Sequence, residues 1–104
     1  MSEQPASEIE DAVALEVVRN DDLERYEGYV ESELTTVIDF RRRGDVLVVT
    51  HTGTDPVWRG QGLASETTRL ALEDVRAEGL RVNPLCPFTV DYFDEHPEVA
   101  DLRA

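Results

Sequence analysis

Two glycines one residue apart form the strongest candidate binding motif in the chain. Gly60 and Gly62 follow Asp55-Pro56 and a β-branched run, and a helical pattern begins directly behind them. Glycine tolerates positive φ and lets a ligand approach the backbone closely, and the first turn of a helix presents unpaired N–H groups with a partial positive charge. The stretch predicts a site for a phosphate or another anion, with a plain turn as an equal alternative.

Cys86 is the second candidate, because it is the only cysteine in the chain. A single cysteine forms neither an intramolecular disulfide nor a cysteine-based zinc site, so it is either a core residue or a reactive thiol. It lies between Pro84 and Pro87, at the predicted N-cap of a short helix, where the pKa of a thiol is lowered. His51 and His96 are the only histidines. They are too few and too far apart in sequence to predict a metal site.

The elements that must position these residues are predicted from hydrophobic periodicity. Four strands with short turns make an antiparallel meander, followed by a helix, a fifth strand and a short helix. The predicted strands are residues 15–20, 25–30, 36–41, 46–52 and 80–83, and the predicted helices are residues 63–78 and 89–95. The two strands that flank the longer helix are expected to lie parallel, by a right-handed crossover.

The chain is therefore expected to form one α+β domain over residues 13–104, after a disordered acidic tail at residues 1–12. Residues 98–104 are expected to be irregular. On the longer helix, the spacing predicts i,i+3 ion pairs between Glu66 and Arg69 and between Glu73 and Arg76.

The charge of the chain is strongly acidic. There are 23 acidic residues against 10 basic ones, all of them arginine, and the net charge is −13. Such a surface repels nucleic acid and anionic membranes. It indicates either a cationic partner or adaptation to high salt, and the even spread of the acids favours the second. Residues 1–11 lack the apolar segment of a signal peptide and no apolar run is long enough to span a membrane, so a cytoplasmic protein is expected.

Four short motifs in order give the chain a family resemblance. Residues 59–64, Arg-Gly-Gln-Gly-Leu-Ala, resemble the Gln/Arg-x-x-Gly-x-Gly/Ala signature of the GCN5-related N-acetyltransferases. Thr50-His51-Thr52 before this loop, Pro84-Leu85-Cys86-Pro87-Phe88 after the helix and His96-Pro97-Glu98 near the end resemble a minimal branch of that superfamily. The similarity covers about residues 15–102. Two positions depart from the branch: Gly53 stands where it usually has Glu or another bulky residue, and Val99 where it usually has an aromatic residue.

The resemblance implies the fold and the co-substrate. The fold is that of an acyl-CoA N-acyltransferase, a mostly antiparallel, splayed sheet with two helices. The co-substrate is acetyl-CoA, and no metal is needed. Its pyrophosphate would lie over the N–H groups of residues 61–64, and its pantetheine arm would pair with the exposed edge of strand 46–52. The implied binding residues are Thr52, Arg59, Gly60, Gln61, Gly62, Leu63 and Ala64.

The resemblance also implies N-acetyl transfer to a small or peptidyl amine, by direct attack of the amine on the thioester. His51 and Cys86 are the implied catalytic residues. His51 is expected to act as a general base or to orient Cys86, and a transient acetyl-Cys86 is the variant route. His96 is expected to have a structural role. The acceptor site is expected to be shallow or completed by another subunit, in a monomer or weak homodimer. A non-catalytic acyl-CoA binding or sensing module is the alternative function.

Overall fold

The computed structural model describes residues 15–104, so the predicted tail at residues 1–12 lies outside the described residues. Within residues 15–104 the chain forms five strands, two α-helices and two 3-10 segments. The strands are β1 (Leu15–Asn20), β2 (Arg25–Val30), β3 (Glu33–Arg43), β4 (Val46–Thr54) and β5 (Arg81–Pro84). The helices are α1 (Leu63–Ala77) and α2 (Pro87–Glu95), and the 3-10 segments are Pro56–Trp58 and Pro97–Leu102.

The five strands form one sheet in the order β1-β2-β3-β4-β5. The first four pair antiparallel, and β4 pairs with β5 in parallel. The predicted meander, the parallel crossover and the α+β fold class are therefore confirmed. β3 is longer than predicted, and it extends to Glu33 and Arg43 at its two ends.

The core lies on one face of the sheet, which we call the helix face. The sheet contributes buried side chains such as Tyr26, Ile38, Phe40 and Leu47, and both helices belong to the same buried cluster. The opposite face, which we call the open face, carries no helix within residues 15–104. This two-layer arrangement buries one side of an antiparallel sheet and leaves the other in solvent.

Backbone hydrogen bonds end α1 sharply. The N–H of Leu80 donates to the carbonyl of Val75 at 2.9 Å, and the N–H of Gly79 donates to that of Arg76 at 3.2 Å. Gly79 has a φ of 69°. These two bonds form a Schellman motif. The chain can therefore turn into β5 directly after α1.

The C-terminal segment differs from the predictions in two ways. Residues 97–102 form a 3-10 segment that buries Leu102, so the expectation of irregular structure over residues 98–104 is wrong. Arg76 forms a bidentate ion pair with Asp101 at 2.7 and 3.0 Å, and the expected pair between Arg76 and Glu73 is absent. Glu73 pairs with Arg69 instead. The Arg69–Glu66 pair forms as predicted. Arg76 thus bonds to the C-terminal segment that docks beside it, and not to its neighbour Glu73 on the helix.

Membrane insertion by a helix is not indicated for the described part of the chain. No helix within residues 15–104 is long and apolar enough to cross a bilayer.

Candidate functional site

A β-bulge at Thr50 determines which side chains of β4 face the core. Phe40 of β3 pairs with Val49, and Asp39 pairs with His51, so Thr50 is an extra residue between the two pairs. A bulge shifts the alternation of a strand by one residue. Val49 faces the core, and the next side chain on the helix face is that of Thr52 rather than that of His51.

The open edge of β4 begins at the same bulge. β4 and β5 pair only from Val46 to Val49, and the N–H groups of Leu85 and Cys86 then both donate to the carbonyl of Val49, at 2.9 and 3.1 Å. Beyond Val49, no described strand pairs with β4 on this side. Because antiparallel pairing alternates, the backbone N–H and carbonyl of Thr52 point to this open edge. An extended ligand can therefore add there as a short strand.

Cys86 lies beside this edge on the helix face. It is the N-cap residue of α2 and only 5% exposed, and its thiol donates to Oγ1 of Thr52 at 3.7 Å. Burial raises the pKa of the thiol, but the N–H groups of Thr89 and Phe88 and the Thr52 hydroxyl outweigh it and lower the pKa below its usual value. The thiol is thus suited to act as a thiolate or to contact an acyl group.

Thr89 is a neighbour of this thiol that the sequence reasoning missed. Its side chain is 2% exposed, and its hydroxyl has no hydrogen-bond partner among the described residues. Thr89 is the third residue after the N-cap, from which side chains reach back to the cap. The predicted N-cap at Cys86 was therefore a signal that could have identified it.

His51 lies on the open face and is exposed to solvent. Its ring rests over Gly53, since a Cβ built on that glycine would lie 3.0 Å from Nε2 of His51. Asp39 is the residue directly opposite on β3. The sheet therefore separates His51 from Cys86, and the expectation that His51 orients the thiol is wrong.

The glycine loop connects β4 to α1 in the way that an anion site requires. Asp55 starts a 3-10 turn by accepting the N–H of Val57 at 2.9 Å. Gly60 and Gly62 have φ values of 82° and 74°, and a Cβ at either position would meet nothing within 4 Å. Gly62 is the N-cap residue of α1 and provides no side-chain cap. The first N–H groups of α1, which start at Leu63, are thus open to a phosphate.

The remaining predicted binding residues surround this loop. Gln61 is exposed, and Ala64 is half-buried. Arg59 donates from Nε to the carbonyl of Thr54 at 3.3 Å. Along the chain, the open edge at Thr52 comes first, the glycine loop follows it, and the Cys86 thiol comes last, at the start of α2.

A groove of about 350 Å³ lies at the end of β4. Its lining combines apolar, hydroxyl and charged residues: Leu34, Thr35, Thr36, Val37, His51, Gly53, Thr54, Asp55 and Arg59. His51 is its one imidazole, and it lies next to the open edge. In residues 15–104, no three His, Cys, Asp or Glu side chains are grouped so that they could hold a metal ion.

The chain resembles acetyltransferases in sequence and in structure. Residues 25–102 match the family model described as GCN5-related N-acetyl-transferase. The solution structure of a GCN5-like protein assigned as an N-acetyltransferase from Staphylococcus aureus is 19% identical, with a TM-score of 0.65 over 89% of this chain and 91% of that one. The crystal structure of the ribosomal-protein-S18-alanine N-acetyltransferase from Escherichia coli is 9% identical, with a TM-score of 0.57 over 68% of this chain and 49% of that one. No curated protein sequence matches the chain significantly.

Proposed function

Because the chain belongs to the GCN5-related N-acetyltransferase family, we propose that it transfers the acetyl group of acetyl-CoA to a small or peptidyl amine. The observation that carries this proposal is the uncapped helix start behind Gly62, followed in space by the open edge of β4. A pyrophosphate and an amide-containing arm need these two features in this order.

The binding residues have separate tasks. The N–H groups of residues 61–64 bind the pyrophosphate, and the two glycines leave room for it. The guanidinium of Arg59 adds a charge-assisted hydrogen bond to a phosphate oxygen. The backbone of Thr52 pairs with the pantetheine arm. Bound acetyl-CoA supplies an activated acyl group as a thioester.

His51 is the general base in this proposal. It takes a proton from the acceptor ammonium, and the free amine attacks the thioester carbonyl carbon, which the backbone of β4 positions. The C–S bond then breaks, CoA leaves as the thiolate, and the second proton of the amine nitrogen passes to that thiolate as the amide forms. An imidazole is suited to this step because one of its two ring nitrogens can accept a proton while the other carries one.

Cys86 offers a variant route from the helix face. Its thiolate attacks the thioester carbonyl carbon, the C–S bond to CoA breaks, and CoA leaves as the thiolate. The amine then attacks the acetyl-thioester on Cys86, the C–S bond to Cys86 breaks, and the proton lost by the amine nitrogen passes to the departing Cys86 thiolate. The lowered pKa of the thiol supports this route. In the direct route, Cys86 only lines the acyl group.

A non-catalytic acyl-CoA binding or sensing module is the second candidate function. Gly53 favours it, because this position has no carboxylate to act as a base. Such a module needs the loop and the edge but neither His51 nor Cys86. In both cases we propose a cytoplasmic monomer or weak homodimer with no nucleic-acid or membrane partner, whose acidic surface is an adaptation to high salt.

Calorimetric titration with acetyl-CoA tests the binding part of the proposal. Gly62→Asp places a side chain and a negative charge in the loop, and we expect it to abolish binding. Gly44→Asp is the matched control, since Gly44 also has a positive φ and open space around it but lies in the β3–β4 turn. Equal binding by both variants would contradict the loop assignment.

Release of free CoA over a panel of primary amines tests the catalytic part. Amine-dependent release by the wild type supports the transferase, whereas binding without release across the panel supports the sensing module. Arrested reactions analysed by mass spectrometry show the acetyl-thioester on Cys86 if the variant route operates.

A further inference from the structure

Gly53 is the residue on which the His51 ring rests. A Cβ at Gly53 would lie 3.0 Å from Nε2 of His51, and 3.8 and 3.9 Å from the two ring carbons. The first distance is shorter than an ordinary contact between carbon and nitrogen. The imidazole therefore approaches the glycine with its Nε2 edge, and any side chain at position 53 must push that edge away.

The strand geometry explains why these two residues meet. They are two positions apart on β4, beyond the bulge, so the His51 side chain and the Cβ direction of Gly53 both point to the open face. Gly53 pairs with Val37 across the strands, and both residues line the groove together with His51. Nε2 of His51 thereby lies beside Gly53 in the groove, which Asp55 and Arg59 also line.

The groove is the approach to the open edge of β4 that solvent can reach. On the helix face, Cys86 is 5% exposed, so this side is largely closed to solvent. On the open face, His51 is exposed. Asp39 lies opposite it on β3, and Asp55 and Arg59 line the same groove.

We infer that Gly53 is a positioning residue for the transfer reaction: it seats His51 with Nε2 in the groove, through which the acceptor amine enters from the open face. This inference rests on the proposed acetyl transfer. Because position 53 has no side chain, the imidazole of His51 can take the place of the base. The glycine then supports the reaction, and it is not a sign that the activity has been lost.

The test is a series of substitutions at Gly53, measured by kinetics and by NMR. Gly53 has no positive φ, so Gly53→Ala and Gly53→Val fit the strand and leave the fold intact. We expect kcat to fall by about 10- to 100-fold in the valine variant, with a smaller loss for alanine and an unchanged KM for acetyl-CoA. Val48→Ala, on the same face of β4 before the bulge, is the control and keeps its kcat.

NMR separates the seating of the ring from the activity. Nuclear Overhauser effects between the His51 ring protons and the Gly53 α-protons are expected in the wild type, and a moved ring in Gly53→Val. Absence of these contacts in the wild type overturns the inference even if the protein is an active acetyltransferase. An unchanged kcat in Gly53→Val overturns it as well. If the wild type shows the contacts but transfers no acetyl group to any amine, the proposed function fails, and the role of Gly53 in transfer fails with it.

Discussion

The two faces of β4 present different side chains next to the same open edge. On the helix face, Thr52 and Thr89 surround a thiol that is 5% exposed. On the open face, His51 is exposed and borders a groove of about 350 Å³. The comparison teaches that one strand edge has two separate groups beside it, a buried thiol on one side and an exposed imidazole on the other. We expect an amine that arrives from solution to reach the imidazole first.

The largest expected effect comes from removing the imidazole on the open face. His51→Ala should reduce the kcat of acetyl transfer by roughly 100- to 10,000-fold, because the proposed general base is removed. Cys86→Ser should cause a much smaller loss, because the thiol only lines the acyl group in direct attack. Steady-state kinetics with one amine acceptor measure both variants. A greater loss in Cys86→Ser than in His51→Ala would show that the reaction takes place on the helix face, at the thiol.

Substitutions on the two faces of β4 should also differ in their effect on the free energy of unfolding. Leu47 is fully buried on the helix face, so Leu47→Ala should lower the free energy of unfolding by about 2–5 kcal/mol. Val48, the next residue, is half-buried on the open face, and Val48→Ala should cost less than about 1 kcal/mol. Urea denaturation measures both. Equal losses would show that a further layer covers the open face in solution.

Glu27 is the exception on the open face, because it is a carboxylate that is only 5% exposed. Burial raises its pKa, but the donors from Arg25, Tyr29 and Asn20 outweigh this and lower it below its usual value. Its contribution to stability is therefore present at neutral pH and lost as the pH falls through the lowered pKa.

Glu27→Gln should cost about 2 kcal/mol at neutral pH. The difference from the wild type should shrink in acid, below the usual range for glutamate. Thermal unfolding of both proteins over a series of pH values checks this. A difference that stays constant with pH would contradict the charged state of Glu27.

The smallest expected effect concerns the thiol alone. Thr52→Val removes the hydroxyl that helps to lower the pKa of Cys86, so the midpoint of the pH dependence of alkylation by iodoacetamide should move to higher pH. Thr50→Val changes the exposed bulge residue and should leave the midpoint in place. If neither variant moves it, the start of α2 alone controls the thiol.

Local patterns in the sequence predicted most of the fold. Strand periodicity predicted β1 and β2 to the residue, and Gly79 predicted the end of α1. The Cys86-Pro87 pair predicted the start of α2, because proline suits the first turn of a helix. These features depend on neighbours in the sequence and are therefore visible in it.

The arrangement of the site could not be predicted in the same way. The bulge at Thr50 depends on how β4 pairs with β3, and no residue type in Thr50-His51-Thr52 signals it. The expected contact between His51 and Cys86 failed for this reason. The expected pair of Arg76 with Glu73 failed because Asp101 comes close only in the folded chain. The loop at Gly60 and Gly62 has the predicted backbone, and its ligand stays a prediction.

The extra residue at Thr50 determines on which face of the sheet the following side chains of β4 lie. If the bulge were lost and Thr50 paired with Asp39, the strand beyond Val49 would shift by one residue, and the imidazole of His51 would turn to the helix face, into the position of Thr52 beside the thiol. The protein would then carry a cysteine–histidine dyad of the kind that thiol hydrolases use. One residue of register thus separates the proposed transfer of an acyl group to an amine from a dyad equipped to hold the acyl group on sulfur and release it to water.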